Sequence, residues 1–325
     1  MVFALFAGAA LNFAMPAIVR PPDRPHFLKS YILPLGAYPS AIVPGADGAL
    51  WFSTYPYFTN HPPIDLGVGR ITTDGALSFV LIGKGTYDVA PGPDGRIWFT
   101  NPYKRPYDIG AVTMAGGVMH YPVPGGGLPE SIASGPSRHL WITSFGGSPD
   151  IVQFDTNGKT DAIYQSIGSD AVKIAAGGDG RMWFDAAGNP SLAGTVRPPR
   201  GLIEQPIGGP SYIPGPMAAG PDGRTWICDG NFVAAVTREF DVVRYPMPYS
   251  DSGATAITAG PDGNLWVADF THGSLVRVTT AGRMKEYRLP ILSAWPDAIT
   301  VGPDGNLWYA EIQPSDTATI GSFAP

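Results

Sequence analysis

The chain has almost no cysteine. Cys228 is the only one in 325 residues, which excludes an internal disulfide, a CxxC redox pair and a thiolate zinc cluster. Charge is also scarce. Asp, Glu, Lys and Arg make up 15% of the chain, where about a quarter is usual. The net charge is −6 and no basic block occurs, so an electrostatic surface for nucleic acid is excluded. No phosphate loop, HExxH helix or Ser-His-Asp spacing is present, and helix signals are nearly absent. After residue 19 no apolar run is long enough to span a bilayer.

Glycine and proline, by contrast, are plentiful, at 42 and 35 residues. Without a period this composition would mean disorder. Here it has one. GADGALWFST (45–54), GPDGRIWFTN (92–101), GPSRHLWITS (135–144), GGDGRMWFDA (177–186), GPDGRTWICD (220–229), GPDGNLWVAD (260–269) and GPDGNLWYAE (302–311) are copies of one unit. The tryptophans at their centres lie 47, 43, 42, 43, 40 and 42 residues apart. Trp295 alone stands off the repeat.

A period of roughly 40–45 residues with four short strands per unit is that of a β-propeller blade. Asp-Gly occurs in six of the seven copies and predicts a type I′ hairpin turn between strands a and b. Pieces such as VGRITTDG (68–75) supply strand c, and pieces such as KEYRLP (285–290) supply strand d. The last unit ends after c. FLKSYILP (27–34) has the d pattern, so the N-terminal strand is expected to close the ring, which removes the open sheet edges. The fold class expected is all-β: one seven-bladed β-propeller of four-stranded antiparallel blades over 25–325.

Residues 1–24 form an apolar leader and Pro-rich link. Met1 to Val19 carry no charge, as in a signal-peptide core or short anchor, although a basic start is missing. Export to the periplasm or exterior is the expectation; a packed N-terminal strand in a cytoplasmic protein is the alternative.

In an up-and-down blade the a–b and c–d turns share one face. The b–c and d–a loops share the other, where function is expected. Eleven residues before each tryptophan, at the entry to strand a, stand Ser40, Tyr87, Glu130, Val172, Gly215, Thr255 and Asp297. Asp88 and Lys173 lie beside this ring. Three residues after each tryptophan stand Thr54, Asn101, Ser144, Ala186, Asp229, Asp269 and Glu311. Carboxylates around one channel mouth suit Mg²⁺ or Ca²⁺, which prefer hard oxygen ligands. Asp297, Glu311 and Asp269 are the candidate metal ligands, with Glu130 in reserve. The alternative is that these carboxylates bond backbone N–H groups between blades. Trp295, Glu130, Tyr87, Asp88, Thr255, Asn101 and His272 are the candidate ligand-binding residues. Tyr55, Tyr57 and Phe58 could form an aromatic wall, and Cys228 is read as a buried apolar residue.

GPDGNLWVADF (260–270), GPDGNLWYAEI (302–312), VGRITTDG (68–75) and MKEYRLP (284–290) resemble the streptogramin (virginiamycin B) lyase family, over about 27–325. That resemblance implies a seven-bladed propeller. Its lyase members open a cyclic depsipeptide at its ester by elimination, with Mg²⁺ polarising the ester and a histidine removing the proton beside the carbonyl. The family's last-blade triplet Glu-Pro-His is here Trp295-Pro296-Asp297, and Thr255 fills the earlier histidine slot. Glu311 alone matches a family glutamate. Asp297 could replace the histidine only with a raised pKa. The catalytic histidines are thus not matched, which points to a binding propeller or one of altered activity. The alternative is a metal-assisted lyase or hydrolase acting on an ester or lactone, with Asp297 and Glu311 catalytic. The partner expected is a small-molecule or peptide ligand at the loop face of a monomer, with no nucleic acid.

Overall fold

The computed structural model describes residues 25–325 except 56–66, 84, 104, 147–149, 166–170, 187–191, 198–200, 208–214 and 292. The leader, Tyr57, Phe58, His61 and most of the long loops therefore lie outside the described residues. No described helix is long and apolar enough to cross a membrane.

Seven four-stranded antiparallel sheets form the molecule. Six are built from consecutive strands. The seventh joins Trp295–Val301, Leu307–Ile312 and Ala318–Ala324 to the N-terminal strand His26–Ile32. His26 pairs with Ala324 and Ile32 with Thr319. Ring closure by the N-terminal strand is therefore observed as the missing d strand predicted.

Each core lies between blades. Trp98 of blade 2 packs on Ile132, Leu140 and Phe154 of blade 3. Trp226 of blade 5 packs on Ile257, Leu265 and Val276 of blade 6, and Trp308 of blade 7 on Ile42, Leu50 and Phe52 of blade 1. All seven repeat tryptophans are at most 2% exposed. Cys228 is buried in the core between blades 5 and 6.

The repeat motif reads as geometry. Its first glycine leaves room for the indole edge. A Cβ at Gly260 would collide with the ring of Trp266. Its aspartate accepts a hydrogen bond from the same indole, at 3.0 Å for Asp262 and Trp266 and 3.0 Å for Asp304 and Trp308. Its second glycine takes the left-handed conformation, with φ of 72° at Gly263. The turn type differs from the expected I′, which requires positive φ at both central residues. Here only the glycine is positive, and Gly263 N–H bonds the Gly260 carbonyl. This is a type I turn followed by a left-handed glycine. The aspartate stays in the right-handed region, where its carboxylate can reach the indole.

Strand c follows a matching rule. Where the residue after the tryptophan is aromatic, its cross-strand partner is glycine: Phe52 faces Gly69, Phe99 faces Gly110, Phe184 faces Gly194 and Tyr309 faces Gly321. A Cβ on any of these glycines would strike the ring. In blade 6 Val267 faces Val276, and no glycine is needed.

Candidate functional site: the channel mouth

The entry to strand a is irregular. Register shifts interrupt its pairing between Pro129 and Ile132, Ala171 and Lys173, Ala254 and Ala256, and Pro296 and Ala298. Such bulges leave a residue unpaired and re-aim its side chain. Thr255 and Asp297 are themselves the extra residues. The central cavity, about 380 Å³, is lined at this level by Ser40, Asp88, Ser131, Lys173, Thr255 and Asp297. Three of these stand eleven residues before their tryptophan. Asp88, Ser131 and Lys173 stand ten before.

Two kinds of side chain meet there. The first are structural latches. The Asp88 carboxylate accepts hydrogen bonds from Ser131 Oγ at 2.8 Å and Ile132 N at 3.0 Å, tying blade 2 to blade 3. Thr143 Oγ1 donates to the Val172 carbonyl at 2.7 Å, tying blade 3 to blade 4. Thr255 Oγ1 donates to the Pro296 carbonyl at 2.7 Å, tying blade 6 to blade 7. Asp88 and Thr255 thus line the channel with their polar atoms already engaged.

The second kind have no such bonds. Lys173, Glu130 and Asp297 make no hydrogen bond or close ion pair with any described residue. The Lys173 ammonium lies 5.2 Å from the centre of the Tyr87 ring. Burial opposes its charge, but Tyr87, Asp88, Glu130 and Asp297 outweigh burial and hold its pKa above the ordinary lysine value. Burial pushes the Asp297 carboxyl up to about 6, against the pull of Lys173. Burial likewise raises Glu130. Blades 4 and 7 are three apart in a ring of seven, so Lys173 and Asp297 approach the axis from opposite sides.

Aromatic rings continue the wall. Tyr38, Tyr55, Tyr87 and Tyr103 form a chain with successive ring centres 6.3, 6.5 and 6.5 Å apart. Trp295 stacks on Phe270 at 5.7 Å and packs, with Tyr55, against the blade 7–blade 1 core. The arc runs from blade 6 through blades 7 and 1 to blade 2.

The other predicted residues sit elsewhere. Glu311 is 1% exposed, accepts a bond from Thr319 Oγ1 at 2.6 Å, and is raised by burial. Asp269 is fully buried and accepts bonds from Gly253 N at 3.0 Å and His272 Nδ1 at 3.2 Å. His272 also faces Asp251 and stacks on Tyr249 with ring centres 4.1 Å apart. Asn101 is fully buried, and neither amide atom has a partner among the described residues. No group of three or more His, Cys, Asp or Glu side chains converges among the described residues. Asp297, Glu311 and Asp269 are therefore not brought together, and the donor set does not fit the divalent cation implied by the resemblance. The charge that shares the mouth with Asp297 is an ammonium. Lys173 was legible only as a neighbour of the ring, because in blades 2 to 4 the residue that lines the cavity stands ten, not eleven, before the tryptophan.

The model of the virginiamycin B lyase family matches residues 26–193 and 174–323. The chain belongs to the virginiamycin B lyase family. Among solved structures it is similar to a streptogramin B lyase, with 23% identity, a TM-score of 0.80, and 92% of this chain and 97% of that one covered. It is also similar to a catalytically inactive virginiamycin B lyase from Staphylococcus aureus with quinupristin, with 24% identity, a TM-score of 0.77, and 91% and 99% covered. At these identities the likeness establishes the fold. No curated protein matches the chain.

Proposed function

We propose that this propeller is a lyase-like enzyme of altered chemistry. In this reading Asp297 is the base that removes a proton next to the carbonyl of an ester or lactone held in the channel mouth. One observation carries it: a carboxylate with no hydrogen-bond donor among the described residues, lining the cavity from the slot that holds a histidine in the lyases it resembles. A base works best when its pKa lies near the working pH, and burial brings Asp297 to about 6. A pKa displaced by burial in a cleft is the mark of a group tuned for proton transfer.

The test uses the full chain, in EDTA and again with added Mg²⁺, and esters of O-acylated threonine and β-acyloxy lactones as probes. Elimination gives an α,β-unsaturated product that absorbs in the ultraviolet. The rate is expected to rise with pH through about 6, as Asp297 loses its proton. Asp297→Asn is expected to lower it about 10³-fold, within the range for loss of a general base. Absence of the unsaturated product under both conditions, or an unchanged rate in Asp297→Asn, would overturn the reading. The aromatic arc supports a second reading, a propeller that binds and does not turn over. Probe binding without product, equal in wild type and Asp297→Asn, is its signature.

A further inference from the structure

Removing a proton beside a carbonyl places negative charge on the carbonyl oxygen. That charge needs a fixed positive partner in a site shielded from water. In the lyases that the chain resembles, a divalent cation fills this role. Here no three candidate ligands converge among the described residues, and the candidates have other partners: Asp269 is held by Gly253 and His272, and one Glu311 oxygen by Thr319.

We infer that the Lys173 ammonium is the built-in cation of this site, so that the channel mouth works without a divalent metal. The inference rests on the reading of Asp297 as the base. Three features of geometry lead to it. Lys173 enters the cavity beside the bulge of blade 4, which aims it at the axis. Its ammonium donates to no described residue, although the charges of three carboxylates act on it, so its donors are available to a ligand. It lies across the channel from Asp297, so a substrate between them would meet the base on one side and the ammonium on the other.

The neighbours also account for its permanence as a cation. Asp88 is fixed by three hydrogen bonds, from Val89 N, Ser131 Oγ and Ile132 N. Together with Glu130 it keeps the lysine protonated against burial. The lysine therefore serves as a charge and not as a base.

The step balances as follows. An Asp297 oxygen takes the proton from the carbon next to the carbonyl. The C–H electron pair moves to the carbonyl oxygen, where Lys173 N–H groups bond the enolate. The pair then returns to form the C=C bond. The C–O bond at the neighbouring carbon breaks, and the acyloxy group leaves as a carboxylate. The proton on Asp297 passes to solvent.

Nitroethane supplies the probe, because its nitronate has the shape and charge of an enolate and absorbs in the ultraviolet. The full chain is titrated with the nitronate in EDTA and again with added Mg²⁺ or Mn²⁺. Wild type is expected to bind equally in both. Lys173→Met is expected to bind about 30-fold more weakly, in keeping with one charge-assisted hydrogen bond. Lys173→Arg, which keeps the charge, is expected to stay within about fivefold of wild type. Near-ultraviolet circular dichroism checks that each variant is folded. Binding that appears only with Mg²⁺ or Mn²⁺ would overturn the assignment, as would wild-type affinity in Lys173→Met or no nitronate binding by wild type. The two readings fail separately. Ester turnover that needs Mg²⁺ and Asp297 removes the lysine role and leaves the base. Metal-independent, Lys173-dependent nitronate binding without ester turnover removes the proton transfer and leaves the lysine.

Discussion

The carboxylates of the a–b turns and two of those at the channel mouth are held in opposite ways. At the a–b turns, burial alone would raise Asp47, Asp222 and Asp262. Hydrogen bonds from the tryptophan indoles and from Arg70, Arg224 and Arg277 outweigh it and hold all three below the ordinary aspartate value. At the mouth, Asp297 and Glu130 receive no hydrogen bond from a described residue, and burial raises them. The first arrangement stabilises the fold. The second costs stability, which is the usual condition of a group kept ready for a ligand. A carboxylate's role in this chain is thus decided by its donors, and its place in the sequence pattern is not sufficient to tell.

Substitutions on each face should separate the two roles. The largest effect belongs to the repeat anchor. Trp266→Ala is expected to destabilise by about 3–5 kcal/mol, the range for a buried aromatic, read by denaturant unfolding. Asp262→Ala removes the acceptor for Trp266 Nε1 and for Arg277. It should cost about 2 kcal/mol and leave nitronate binding at the mouth unchanged.

On the other face the sign reverses. The folded-state pKa of Asp297, about 6, lies above the ordinary aspartate value of 3.8. The unfolded chain therefore loses this proton first. Stability falls as pH rises between about 4 and 6 and stays lower above that window. Asp297→Asn cannot ionise, so it should raise stability at pH 7 by about 1–2 kcal/mol, a figure reduced for solvent screening, while abolishing proton transfer. Equal stability of variant and wild type at pH 7 would contradict this. The predicted signature is a thermal midpoint that rises in the variant at pH 7 and coincides with wild type near pH 4.

The smallest effect is a repair. Blade 3 has GPSR in place of GPDG. Its Trp141 Nε1 is buried without a partner among the described residues, and Ser137 and Arg138 both take φ of 60°. Restoring the turn with Ser137→Asp and Arg138→Gly should stabilise by about 1 kcal/mol, by supplying the indole acceptor and relieving left-handed strain. Thermal unfolding checks it, and a lower midpoint would show that blade 3 gains something else from its own turn.

Much of this architecture was legible in the repeat. Seven tryptophans marked the blades, and the unmatched FLKSYILP marked the closing strand. The turn type was misread because Asp-Gly pairs in isolation favour I′, whereas here the indole acceptor fixes the aspartate in the right-handed region. The mouth was legible only to within a residue. Asp297 and Thr255 were found at eleven before the tryptophan, since their own bulges turn them inward. Lys173 stands at ten, and only a reading that allowed for both spacings would have placed it in the channel with Asp297. The latches of Thr255 and Asp88 depend on carbonyls and N–H groups of the next blade, which no pattern within one repeat can show.

The central claim is that the mouth pairs an available carboxyl group with an internal ammonium. Carbon-13 NMR of the Asp297 carboxyl, in full-length wild type and Lys173→Met, tests it most directly. The account predicts a midpoint near 6 in wild type that moves upward once the lysine charge is removed. A midpoint near 4 that Lys173→Met leaves in place would contradict it.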